Sequence, residues 1–371
     1  MIGNSLIPAP LAALPWRVIL TVTAITGFGL VVLYSAAGGS LRPWALGQGL
    51  RFVVLLALAI ALSRLDQARL KAIALPAYGV LLVALLLTEL VGAVRGGGQR
   101  WLDLGIIRLQ PSELMKPVIV LVLARFYDRL PAGEIRGFHA IWPALALIGL
   151  PFALILVQPD LGTATMVMMG GVTVMFLAGL PLRLFIGAVL AALPLGAGAW
   201  SMLHEYQRNR VLIFLDPDMD PLGRGYHITQ SKIAIGSGGL LGKGFLNGTQ
   251  SHLDYLPEGQ TDFVFATMAE EWGLAGGVLL IIGFLSVIWW GLGVALRAPT
   301  RFARLTAAGL STTIFFYVAI NLMMVMGLAP VVGIPLPLVS YGSSAVMTVM
   351  IIIGILFALD RDQRGYRPPF G

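Results

Sequence analysis

The run W-R-V-I-L-T-V-T-A-I-T-G-F-G-L-V-V-L-Y-S-A-A, residues 16–37, decides the fold class. It carries a single charge, Arg17, and shows no alternation of apolar and polar positions. A helix crosses the hydrocarbon core with about 20 apolar residues, whereas a barrel strand needs about 9–11 alternating ones. The run exceeds an ordinary signal-peptide core and has only Arg17 ahead of it, so it reads as a first membrane span. Nine similar runs follow, near 44–63, 74–94, 112–130, 140–157, 161–180, 183–203, 263–295, 303–328 and 343–360. The prediction is an all-α polytopic membrane protein of ten transmembrane helices, a single integral membrane domain over 1–371.

Composition agrees. Of 371 residues 57% are hydrophobic and 45 are glycine, while charged residues make up 12%, half of the ~25% usual in soluble domains. Such a chain cannot cover a water-facing surface. The 25 Lys and Arg exceed the 18 Asp and Glu, giving +7. These cations lie in short connections, where they orient a membrane chain rather than bind nucleic acid. With the N-terminus cytoplasmic, fourteen fall on inside segments and four (Arg42, Arg95, Arg100, Arg108) on short outside loops. Both termini are therefore expected in the cytoplasm. The absence of cysteine excludes a disulfide framework, a thiol nucleophile and a thiolate-bound metal.

One connection is long. Residues 204–262, between spans seven and eight, form a large loop on the outer side. Loops of this size are functional or disordered. This one has apolar stretches, the glycine-rich G-S-G-G-L-L-G-K-G at 236–244 and aromatics, so an interfacial structure resting on the bundle is expected.

Ionisable residues at membrane depth are costly, and each is a functional candidate. In R-W-L-D-L-G-I-I-R-L-Q-P-S-E-L-M-K-P, residues 100–117, Gln110-Pro111-Ser112 reads as a helix start with Ser112 as N-cap. Glu113 and Lys116 then share one helix face. They form either a tolerated ion pair or a cation posed for a phosphate. Arg100, Gln110 and Ser112 join them as candidate substrate contacts. Gln158-Pro159-Asp160 occupies an outer turn, with Asp160 either an N-cap or a ligand of a sugar hydroxyl or a cation. Asp262, in L-P-E-G-Q-T-D-F at 256–263, stands where polar loop gives way to apolar helix. Partial desolvation there raises a carboxyl pKa and suits it to general-base work, although a helix cap is the alternative. Glu270 and Glu271 lie two turns on, one expected to face the interior and the other to pair. Arg208 and Arg210, near the membrane surface, suit a pyrophosphate or anionic lipid headgroups. Lys232 and Lys243 are weaker versions of the same idea. Asp216, Asp218 and Asp220 read as a solvated acidic turn, and His204, His227 and His252 lack zinc-ligand spacing, so no metal residues are assigned. The uncharged Pro- and Gly-rich stretch 327–344 is expected to re-enter the membrane edge as a rigid hairpin. Asn321, inside span nine, reads as interhelical glue.

These groups, in this order, resemble the SEDS family (shape, elongation, division and sporulation). The resemblance is carried by RWLDLGIIRLQPSELMK, QPDLGTA, QSKIAIGSGGLLGKGFLNGTQSHLDYLPEGQTDFVFATMAEEWG and PVVGIPLPLVSYGSS. The stretch GKGFLNGTQSHLDYLPE and the short N-terminal tail are similar to the rod-shape elongation branch, RodA. The resemblance implies a peptidoglycan glycosyltransferase of the bacterial inner membrane, with its active site on the outer face. It would polymerise lipid II into β-1,4 glycan strands during elongation, release undecaprenyl pyrophosphate, and work with a class B penicillin-binding protein. It places the family's essential acid on Asp262, its cavity residues on Glu113, Lys116 and Asp160, and its loop arginines on Arg208 and Arg210. Gln260 stands where relatives often have histidine, and Ser343 where they often have glycine. A divalent cation, Mg²⁺ or Mn²⁺, is left without assigned ligands. The alternatives from other classes are a lipid II flippase and a non-catalytic scaffold for the crosslinking enzyme.

Overall fold

The computed structural model describes residues 14–95, 98–103, 108–199, 205–216, 219–220, 223–253 and 255–365. Helices α1 (Trp16–Ala36), α2 (Ala45–Leu62) and α3 (Gln67–Val91) come first. They are followed by strands β1 (Ala93–Arg95), β2 (Gly98–Asp103) and β3 (Arg108–Leu109), paired antiparallel in that order. Next come α4 (Pro111–Arg129), α5 (Phe138–Val157), α6 (Leu161–Ala178) and α7 (Leu182–Ala199). The long loop contributes α8 (Glu205–Leu215), α9 (Arg224–Gly238) and the single turn α10 (Thr249–His252). Helices α11 (Val264–Arg297), α12 (Arg301–Val325) and α13 (Ser343–Gly365) complete the bundle.

Among the described residues eight helices are long and apolar enough to cross a membrane: α1, α2, α3, α5, α6, α11, α12 and α13. Helices α4 and α7 occupy the other two expected positions. Charge keeps α4 out of the apolar set, because it holds Glu113, Lys116, Arg125, Asp128 and Arg129. The apolar part of α7, Leu182–Ala192, is short.

Short polar side chains set several helix starts. Asp66 accepts from Arg69 N at 2.8 Å, so α3 begins at Gln67, seven residues before the expected 74. Thr300 caps α12 through Ala303 N at 3.2 Å. One element is additional to the sequence reading and one expectation needs correction. The small sheet between α3 and α4 was not foreseen; its strands are two to six residues long and too short to carry a periodic signal. Nor is Ser112 the N-cap of α4: the helix starts at Pro111, whose fixed φ suits a first position, and the capping residue is Gln110.

Helix α13 and the central parts of α4, α6 and α12 form the dry core, while α2, α3, α5 and α7 expose leucines and valines suited to lipid. Residues 327–342 form no regular element but are buried at Ile334, Leu336, Leu338 and Val339. They are laid against α1 and α6, where a Cβ on Gly29 would meet Val339 Cα at 2.7 Å and one on Gly162 would meet Val332 O at 2.7 Å. Only glycine allows that approach.

Helix α11 is broken. Gly273 has φ 63° and ψ −161°. The backbone groups freed at the break are taken up by the glycine-rich loop. Lys243 N donates to Glu270 O at 2.9 Å and Gly244 N to Glu271 O at 3.0 Å. In return Leu274 N donates to Gly239 O at 2.9 Å and Ala275 N to Leu240 O at 3.0 Å. The loop is thereby spliced into the helix.

Candidate active site

Asp262 lies on a tight turn just ahead of α11. The Glu258 carbonyl accepts from Thr261 N at 3.0 Å and Phe263 N at 3.2 Å, and Thr267 Oγ1 donates to Gly259 O at 3.1 Å. Capping falls to Phe263, with no side-chain cap bond, so the Asp262 carboxylate is not engaged in starting the helix. Half-buried, it faces Gly333, whose missing Cβ would stand 3.4 Å from Oδ2. Burial, and secondarily the Glu258 carboxylate, raise its pKa from 3.8 to about 6.

The turn is anchored from below. Asn321 Nδ2 donates to Asp262 O at 2.9 Å and to Ile334 O at 2.7 Å. Tyr341 N donates to Gln260 O at 2.8 Å. Thus α12 and the segment 327–342 grip the acid's backbone from two sides. Asn321, read from sequence as glue between helices, instead joins a helix to the acid-bearing turn.

One turn along the same face of α12, about 6 Å by helix rise, Tyr317 joins a closed ring of hydrogen bonds. Lys116 Nζ donates to Glu113 Oε1 at 2.6 Å and to the Tyr317 hydroxyl at 2.9 Å, and that hydroxyl donates to Glu113 Oε2. The ammonium also lies 4.4 Å from the Tyr317 ring centre. All three side chains are buried. The predicted pair is therefore real, but Lys116 is neutralised where it stands.

Asp160 does cap α6, accepting from Thr163 N at 3.1 Å, and its other oxygen accepts from Gln110 Nε2 at 3.1 Å. Arg100 serves that turn, donating from Nε to Gln158 O at 3.0 Å and from Nη2 to Pro159 O. Arg100 and Gln110 thus hold Asp160 in place. Ser112 is buried beside Glu113, its Oγ without a hydrogen-bond partner.

Neither glutamate of α11 opens onto this site. Glu270 Oε1 accepts from Lys243 Nζ at 2.6 Å, Thr249 N at 2.9 Å and Gln250 N at 3.0 Å, fastening the loop. Glu271 accepts from Ser35 of α1. Lys243 is consequently taken, whereas Lys232 is exposed, its stem packed where a Cβ on Gly327 would fall. Arg208 is half-buried on α8, while the side chains of Arg210 and His252, and all of His204 and Asp218, lie outside the described residues. Among the described residues no three His, Asp or Glu side chains gather as a metal site. Sequence reasoning missed Tyr317 and undervalued Asn321. Their four-residue spacing in an apolar helix was the available signal.

The FtsW, RodA and SpoVE family model, described as "Cell cycle protein", matches residues 15–365. The peptidoglycan glycosyltransferase MrdB of Escherichia coli (strain K12) is 42% identical over 350 residues, 93% of each chain. The peptidoglycan glycosyltransferase RodA of Treponema pallidum is 30% identical, covering 94% of this chain and 98% of its own. Two solved structures are similar throughout. One, described as "Structural coordination of polymerization and crosslinking by a peptidoglycan synthase complex", has TM-score 0.83 and 34% identity, covering 94% of this chain and 98% of its own. The other, the rod shape determining protein RodA of Thermus thermophilus, has TM-score 0.70 and 29% identity, covering 94% and 97%.

Proposed function

Because the chain belongs to the FtsW, RodA and SpoVE cell cycle protein family, we propose how its site works as a peptidoglycan glycosyltransferase of the rod-shape branch. The substrate is lipid II, and Asp262 is the general base. The 4-hydroxyl oxygen of the acceptor sugar attacks the anomeric carbon of the lipid-linked donor strand. Its proton passes to the Asp262 carboxylate, and the bond to undecaprenyl pyrophosphate breaks. Cations stabilise the departing pyrophosphate; Arg208 and Arg210 are assigned to it. Asp160 and Gln110 are assigned to orienting the sugars, and the buried Glu113–Lys116 pair supports the start of α4 behind them.

The observation that carries this reading is the state of Asp262. It is half-buried, uninvolved in capping and fixed by its backbone, with a pKa of about 6. Such a carboxylate is ionised at neutral pH yet more basic than an ordinary one. The proposed setting is the bacterial inner membrane, both termini cytoplasmic and the site on the outer face, beside a class B penicillin-binding protein that crosslinks the strand. A divalent cation would add charge neutralisation at the pyrophosphate.

Purified protein in detergent should convert lipid II to glycan strands, a result no flippase gives where there is no leaflet to cross. Asp262→Asn should abolish polymerisation while the protein still folds and holds its partner. Retention of more than about a hundredth of the wild-type rate would contradict the base, given the ~10²–10⁴ such a group contributes.

A further inference from the structure

Arg51 lies six residues inside α2, an apolar helix long enough to cross a membrane, whose Val54 and Leu58 are exposed. A guanidinium at that depth is expensive and marks function by default. It is half-buried. Its Nη2 donates to the Tyr341 hydroxyl at 3.2 Å, and its guanidinium carbon lies 4.8 Å from the centre of that ring. Among the described residues no carboxylate pairs with it.

Its placement is fixed relative to the base. Gln48, one turn away, donates from Nε2 to Ser340 O at 3.0 Å, and Tyr341 N donates to Gln260 O, two residues before Asp262. Three other cations on this side already have acceptors: Lys116 has Glu113, Lys243 has Glu270, and Arg100 has the carbonyls of Gln158 and Pro159. Among the described residues Arg51 gives one hydrogen bond, to a neutral hydroxyl, and sets its guanidinium over the same aromatic ring. The rest of its planar fork remains for an anion, and that fork matches a phosphate bidentately.

We propose that Arg51, braced by Tyr341, binds the phosphate of the polyprenyl-pyrophosphate-linked substrate where it reaches the site from the bilayer. The proposal rests on the glycosyltransferase reading above. It adds a phosphate contact on the lipid-facing side of α2, separate from Arg208 and Arg210.

The test measures binding of undecaprenyl pyrophosphate and of undecaprenol to the full chain in phosphatidylcholine nanodiscs. Wild type should bind the pyrophosphate at least ten-fold more tightly than the alcohol. Arg51→Gln should weaken the pyrophosphate at least five-fold and leave the alcohol within two-fold, with Arg51→Lys between. Equal pyrophosphate binding by Arg51→Gln and wild type overturns the proposal. So does collapse of the wild-type preference in nanodiscs half of phosphatidylglycerol, because an ordinary anionic headgroup would then be the occupant. Should Arg51→Gln fail to fold, Arg51→Lys and Tyr341→Phe decide: a two- to five-fold loss in each supports the contact, and wild-type binding in both overturns it. Asp262→Asn should bind like wild type and polymerise nothing. A wild-type protein that shows the Arg51-dependent preference but makes no glycan would sink the polymerase reading alone.

Discussion

The side-chain amide of Asn321 holds the backbone carbonyl of Asp262 at 2.9 Å while its second bond reaches Ile334 at 2.7 Å. One amide thus fixes both the acid-bearing turn and the segment whose Gly333 faces the carboxylate. Asn321→Ala leaves two carbonyls without their donor, at about 1–3 kcal/mol for each that stays buried. The expected result is a lower melting temperature and a kcat down about ten- to hundred-fold, more than KM changes. Wild-type kcat in a folded Asn321→Ala protein would show that the turn is positioned without this amide.

The raised pKa of Asp262 fixes the sign of two pH effects. A general base works ionised, so if Asp262 is that base polymerisation should fall about ten-fold per unit as pH drops below about 6. Glu258→Gln removes the secondary, charge-repulsion cause and should move that acid limb downward. Stability runs the other way. The folded state holds this proton more tightly than the unfolded chain, so its contribution is lost as pH rises from 3.8 through about 6. Asp262→Asn at pH 7.5 should therefore melt no lower than wild type, which thermal scans of the two proteins can check.

Removing either Glu113 or Lys116 strands the other in a dry site, costing roughly 3–5 kcal/mol. Glu113→Ala, Lys116→Ala and the double variant should be strongly non-additive in melting temperature and rate. Tyr317→Phe keeps the ring under the ammonium but removes the bridging hydroxyl, so its loss should be smaller than either charge deletion. Additive single effects would show that the ring of bonds does not operate as a unit.

Lysine keeps the charge of arginine but not its planar fork. If Arg208 or Arg210 holds the pyrophosphate, the Arg→Lys change there should slow polymerisation at least ten-fold without loosening membrane association. It should also weaken lipid II more than an analogue lacking phosphate. Wild-type rates in both variants would leave these arginines as headgroup contacts.

The membrane class of the fold was legible because length and apolarity alone determine which segments cross a bilayer. The Glu113–Lys116 contact followed from helical spacing, and the Asp160 cap from a short acid ahead of an apolar run. What stayed hidden depends on long-range packing. Nothing local in 327–342 says that Gly333 will face Asp262, or that Asn321 will reach a carbonyl 59 positions away. The small sheet at 93–109 and the Ser112 assignment failed for the opposite reason. The strands are too short to carry a periodic signal, and Pro111 at the first helical position outweighed the serine after it.

The break at Gly273 also sets a height. At 1.5 Å per residue, an unbroken α11 of 34 residues would be about 51 Å long, against a hydrocarbon core of about 30 Å. The part from Leu274 to Arg297 measures about 36 Å by itself, enough to span. A continuous rod would add residues 264–273, about 15 Å, to the same axis. If Asp262 is the base, a substrate tethered by a polyprenyl tail could not follow it that far into water. On the proposed reading, bending the helix at one glycine and tying its open ends into the loop keeps the Asp262 carboxylate near a sugar still rooted in the membrane.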